Sequence, residues 1–108
     1  MEVNELVKEA HRIAKDKGWW EPGNERTFGD IVALMHSELS EALEEFRHGK
    51  SMVYEKDGKP EGIAVELADC IIRIADFCGR NKVDLDGVLT MKMKYNESRP
   101  YRHGNKEI

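Results

Sequence analysis

Four carboxylates fall in two short motifs, Glu38-Leu39-Ser40-Glu41 and Glu66-Leu67-Ala68-Asp69, each with its two acids three residues apart. In a helix that spacing puts both acids on one face. Each pair also lies beside an apolar stripe, where an unpaired charge is costly to keep. Two like charges about 4 Å apart repel by roughly 4 kcal/mol at an effective dielectric of about 20. Four such groups brought together must protonate in part or share cations. A donor set made only of carboxylates selects a hard ion, Mg²⁺ in a cell with Mn²⁺ as a substitute. No Cys or His stands at ligand spacing, which argues against zinc. A di-iron centre would want His where Glu41 and Asp69 stand. Solvated helix faces in an acidic protein account for the same spacing, since Glu favours helix. Both readings stand at this point.

A second group is basic. Lys92, Asn96 and Arg99 recur at i, i+4 and i+7 and share a face if the helix lasts that long. Arg chelates phosphate oxygens, Lys supplies a point charge and Asn donates or accepts, a combination suited to a polyphosphate. Ordinary cationic dressing of a helix C-terminus is the alternative. Trp19 and Trp20 sit beside Pro22 and Gly23 at a helix end. One of them offers a face for a planar base, although adjacent tryptophans commonly split, one capping the core and one half-exposed. His11, on the edge of the first apolar stripe, is a candidate for the same pocket or a partly buried structural histidine.

The elements that must position these groups are helices. Val3, Leu6, Val7, Ala10, Ile13 and Ala14 repeat at helical spacing over 3–17, with Gly18 as a stop. Thr27 caps a second helix to about residue 48, with Ile31, Leu34, Met35, Leu39, Ala42, Leu43 and Phe46 facing inward. Residues 50–59 read as a polar connection with a tight turn at Asp57-Gly58 and a short extended piece at Met52-Val53-Tyr54. Pro60 fits the first turn of a third helix, continuing to about residue 81. A fourth starts at Asp84 or Asp86, and the tail from about residue 100 looks loosely held. The expected fold is all-α: a four-helix-bundle-like unit forming one domain over residues 1–108. In the third helix Ile63, Leu67, Cys70, Ile74 and Cys78 make one stripe, while Val65 and Ile72 lie nearly opposite. A helix apolar on two sides is usually covered on two sides, so a homodimer or homotetramer is expected.

Composition narrows the partners. A net charge of −4 without a long basic run argues against a nucleic-acid backbone. Acid is concentrated mid-chain and the stretch 92–106 is basic, which suits a metal held from one side and an anion from the other. Cys70 and Cys78 are too far apart on one helix to bridge, about 12 Å along its axis, and read as buried thiols of a reducing compartment. No secretory h-region or long apolar run is present, so membrane spanning is not expected and cytoplasm is the default.

The three motifs SELSE, ELAD and KMKYNESRP, in that order, closely resemble those of the MazG-like, all-α nucleoside triphosphate pyrophosphohydrolases. The resemblance implies Mg²⁺-dependent hydrolysis of an NTP or dNTP to the monophosphate and pyrophosphate, in dimers or tetramers of four-helix units, with nucleotide-pool housecleaning as the role. It implies that Glu38, Glu41, Glu66 and Asp69 hold the metal and that Lys92, Asn96 and Arg99 contact phosphate or sugar. It extends to dCTP pyrophosphatase-type relatives, which have an upstream His and Trp matched here by His11 and Trp20. Glu45, one turn beyond Glu41, is a further candidate for orienting the attacking water. Two other readings keep the fold: a related pyrophosphohydrolase acting on phosphoribosyl-ATP, and a non-catalytic helical interaction module.

Overall fold

The structure, a computed structural model, describes residues 1–105 and 107. Each helix starts and stops for a local reason. α1 (Val3–Asp16) ends just before Gly18, which takes a left-handed φ of 86°. α2 (Phe28–Arg47) begins on Thr27, whose side chain accepts from the Asp30 amide while the Asp30 carboxylate accepts from the Thr27 amide. This reciprocal capping satisfies two otherwise orphaned donors. α4 (Leu85–Ser98) is capped by Asp84, which accepts from the Gly87 amide. Asn4 of α1 donates to Asp84 at 2.8 Å and accepts from the Asp86 amide at 3.1 Å, tying the two helices together.

Between α2 and α3 (Ile63–Arg80) the chain makes a hairpin, β1 (Tyr54–Lys56) pairing antiparallel with β2 (Lys59–Glu61). Asp57 and Gly58 both have positive φ, 54° and 80°, the turn geometry that matches strand twist. Pro60, expected in the first turn of a helix, lies instead opposite Glu55 in β2. Among the described residues neither strand has a second neighbour, and an edge tolerates a residue with no N–H. Of the expected extended piece only Tyr54 joins a strand; Met52 and Val53 are exposed before it.

No side chain caps the start of α3. The Ile63 and Ala64 amides instead donate to the Ser51 and Met52 carbonyls, at 3.4 and 2.9 Å. That grip requires Gly62, whose φ is 124° and whose missing Cβ leaves room for the Met52 carbonyl.

α3 packs against both α2 and α1, and α4 packs against α1. The core where α1 meets α3 is built from Val7, Ala10, Ala75 and Cys78, with Leu6, Phe77, Val83 and Leu85 around it. Small side chains dominate because the two helices cross closely: a Cβ at Gly79 would lie 2.5 Å from the Cβ of His11. Cys70 and Cys78 are buried free thiols, as their helix position implied.

Two apolar stripes are less covered than their spacing suggested. On α3, Leu67 and Ile74 are 43% and 37% exposed, and on α2 Leu39, Leu43 and Phe46 are open. Glu38 and Ala42 are the buried positions of α2 instead. The reason is that α4, the one remaining long helix, covers α1 and leaves the far side of the α2–α3 pair bare. Ile72 is exposed as well, whereas Val65 is half-buried. The tail beyond Pro100, expected to be loosely held, forms a single helical turn, α5 (Arg102–Asn105), and the same expectation for Lys106 and Ile108 lies outside the described residues. Among the described residues no helix is long and apolar enough to cross a membrane.

The glycine contacts set an expectation for stability. Gly62→Ala and Gly79→Ala should each cost about 1–3 kcal/mol in chemical denaturation, through backbone strain and overpacking. Gly29→Ala, with ordinary van der Waals room in α2, should leave the midpoint unchanged or raised.

Candidate functional site

The α2–α3 seam brings the carboxylates together. Carboxylate oxygens of Glu38, Glu66 and Asp69 lie within 4.8 Å of one another, and so do those of Glu45, Glu61 and Glu66. Glu66 belongs to both groups and is the centre of the cluster. Glu41, exposed on α2, is also in hydrogen-bonding reach of Glu66. All four acids of the two motifs therefore gather at one place, with Glu45 beside them. Glu61 joins through the hairpin, because β2 returns it opposite Tyr54; helical spacing gave no sign of it.

The cluster is only partly neutralised. Glu38, 7% exposed, receives Arg73 Nε at 3.0 Å. The Tyr54 hydroxyl donates to both oxygens of Glu45, at 3.1 and 3.0 Å. No basic side chain is paired with Glu66 among the described residues. Burial, followed by hydrogen bonding and charge from Glu41 and Glu38, pushes its carboxyl up to about 8. Asp69 is also held above the usual carboxylate range, by burial first and then by the charge of Glu38, with Arg73 opposing in part. Hard oxygen donors around a carboxyl that cannot ionise freely fit a divalent cation.

Glu38 and Asp69 also form one end of a cleft of about 530 Å³ between α1 and α3. Leu6, Ala10, Ile13 and Ala14 of α1 and Ile72 of α3 make its apolar wall. Trp19, Arg26, Arg73 and Asp76 complete its lining. The charged residues on α3 follow one stripe: Glu66, Asp69, Arg73, Asp76 and Arg80 recur at i, i+3, i+7, i+10 and i+14. Arg73 and Asp76 were thus legible as companions of the ELAD motif, although the motif alone did not single them out.

His11 and Trp20 are joined through Asp76. Its carboxylate accepts from His11 Nδ1 at 2.8 Å and from Trp20 Nε1 at 2.8 Å. The Arg80 guanidinium lies 4.9 Å from the Trp20 ring centre. The tryptophans split, Trp20 half-buried against the seam and Trp19 51% exposed under Arg26. Trp19 and Asp76 line both the cleft and a smaller hollow beside it, whereas Trp20 lines the hollow and not the cleft.

Lys92, Asn96 and Arg99 are placed differently. Lys92 and Asn96 are exposed on α4, and Arg99 follows in extended conformation as its cap. Lys92 and Arg99 flank the Tyr95 ring at 4.8 and 5.7 Å. Neither cavity bordered by the acids contains an α4 residue. A single chain does not bring the basic face into the described acidic site.

The raised carboxyls fix a pH dependence. A group whose pKa rises on folding binds more protons in the native state, so stability falls as pH rises between its unfolded and folded values. The metal-free protein should melt at progressively lower temperature between about pH 5 and about pH 8. Glu66→Gln should flatten that slope, and Mg²⁺ should restore stability most strongly at the alkaline end. Differential scanning calorimetry across this range reads all three.

No protein-family profile, curated protein or solved structure matches this chain.

Proposed function

We propose that the chain is a divalent-cation-dependent nucleotide pyrophosphohydrolase that converts an NTP or dNTP to the monophosphate and pyrophosphate, serving to clear nucleotide pools. The observation that carries this reading is the meeting of Glu38, Glu66 and Asp69 oxygens beside an apolar-walled cleft that Glu38 and Asp69 line. A carboxylate cluster alone is a common surface feature. One that closes a cleft of ligand size has a place for the rest of a substrate. The ordered MazG-like motifs support the same reading.

Glu38, Glu41, Glu66 and Asp69 would hold Mg²⁺, or Mn²⁺ in its place. When bound, the ion neutralises the polyphosphate and acidifies a water. The chain's own side chains do the remainder. The wall of Leu6, Ala10 and Ile13 excludes water and receives the apolar part of the nucleotide. Trp19, at the rim, offers an aromatic face when Arg26 moves aside, and His11 and Trp20 stiffen the neighbouring seam through Asp76. Glu45, fixed by Tyr54, is an acceptor for a water proton at the edge of the cluster.

In this reading the protein is a homo-oligomer in the cytoplasm. The single chain exposes 8473 Å², whereas a compact protein of 12.4 kDa exposes about 6,100 Å². Its radius of gyration, 16.6 Å, likewise exceeds the roughly 13 Å of a compact domain this long. The excess surface is of the size that stable interfaces bury. The open stripes on α2 and α3 are the surface for a second copy. That copy's α4 could then present its Lys92, Asn96 and Arg99 to the acids.

A panel of NTPs and dNTPs with Mg²⁺, read as released pyrophosphate, should find a substrate. Glu41→Gln and Asp69→Asn should each lower turnover by about a hundredfold or more. Full turnover in both variants, or no pyrophosphate from any nucleotide, would overturn the assignment. Inactive Glu41→Gln and inactive Arg99→Ala proteins, unfolded and refolded together, should regain part of wild-type activity if two copies share a site; no recovery would place the basic face elsewhere.

A further inference from the structure

The structure assigns Arg73 a second task, as the cation within the cleft that contacts the substrate's phosphate oxygens once a metal ion occupies Glu38; we propose this on the basis of the pyrophosphohydrolase reading above. Arg73 lies one turn beyond Asp69 on α3 and lines the same cleft. Its pairing with Glu38 is side-on: only Nε is engaged, at 3.0 Å, and neither Nη makes a hydrogen bond among the described residues. An arginine serving only to neutralise a buried carboxylate commonly uses two parallel donors. Here the fork stays open on a side chain 34% exposed, against 9% for that of Glu38.

The other cations of the cleft are less suitably placed. Arg26 lies over the Trp19 ring, and Lys17 is on the exposed end of α1. Among the cations lining the cleft, Arg73 is the one paired with an acid of the cluster; Lys59, which pairs with Glu61, lies outside the cleft. Were Glu38 to hold a divalent ion, its bond from Arg73 Nε would weaken, and the guanidinium would keep planar donors suited to phosphate on the cleft side. The change would be one of ion-pair partners for Arg73, from carboxylate to phosphate. No covalent bond changes.

The test separates this assignment from the reading beneath it. Mn²⁺ binding is followed by electron paramagnetic resonance, and inorganic imidodiphosphate, a non-hydrolysed pyrophosphate analogue, is titrated calorimetrically with Mn²⁺ saturating. In Arg73→Gln, imidodiphosphate should bind roughly 10- to 100-fold more weakly, while Mn²⁺ binds as tightly as in wild type or more so. Arg73→Lys, which keeps charge without the fork, should fall between. Equal imidodiphosphate affinity in all three, loss of Mn²⁺ binding in both variants, or a wild type that binds Mn²⁺ but no imidodiphosphate would overturn the role of Arg73. A wild type that binds no Mn²⁺ would overturn the metal reading itself, and the assignment with it.

Discussion

Crowding of like charge at the α2–α3 seam is the constraint around which this structure is organised. Ala42 and Cys70, both small and buried, let the two helices approach. The same approach forces Glu38, Glu66 and Asp69 within reach of one another. Each acid finds a different relief. Glu38 takes an arginine, Glu45 a tyrosine hydroxyl, and the Glu66 carboxyl is pushed well above the usual carboxylate range. Such a seam gains stability when something positive stands in it, and a proton is the least demanding occupant. A divalent ion competing for that place must expel it, so occupancy and pH are linked.

Hydrophobic packing must hold these charges together, yet it is unevenly distributed. The core is where α1 crosses α3, and no large side chain is fully buried there or elsewhere among the described residues. The acid-bearing half of α2 has an open apolar stripe on its outer side. Charge repulsion and weak cover therefore coincide on one helix pair. In the proposed assembly a second copy relieves both, adding apolar contact to α2 and α3 and supplying cations from α4.

How much could be read from residues alone differs by level. The helices and the convergence of Glu38, Glu41, Glu66 and Asp69 were legible because 3.6-residue periodicity fixes faces directly. The Thr27 cap and the Asp57-Gly58 turn were legible from side-chain chemistry. Pro60 misled because proline suits both a helix start and an edge strand, and only the pairing of Lys56 with Lys59 decides between them. Glu61 and Tyr54 were missed for the same reason: a hairpin delivers them, and register is not visible in spacing. Leu39, Leu43 and Phe46 have a core pattern but no cover within the chain, since periodicity says which residues share a face and not what lies against it. The proposed function rests on the resemblance carried by three ordered motifs, taken together with the place where the acids meet, and on no single residue pattern.

The hairpin has a further consequence for how this molecule can vary. Its base is held at two points, where Ser51 and Met52 carbonyls grip the first turn of α3 and where Tyr54 bonds Glu45. Its tip at Asp57 and Gly58 is exposed and lines neither the cleft nor the hollow at the acids. Extra residues added at the tip would lengthen the ribbon outward and leave Glu66, three residues into α3, where it stands. A residue added between Met52 and Tyr54 would keep the strand register, which the Asp57-Gly58 turn sets, but would change the spacing between the Ser51 and Met52 carbonyls that hold α3 and the Tyr54 hydroxyl that holds Glu45. The loop thus divides into a spliceable end and a ruler, and the distance kept by the ruler is the one between the two carboxylate pairs.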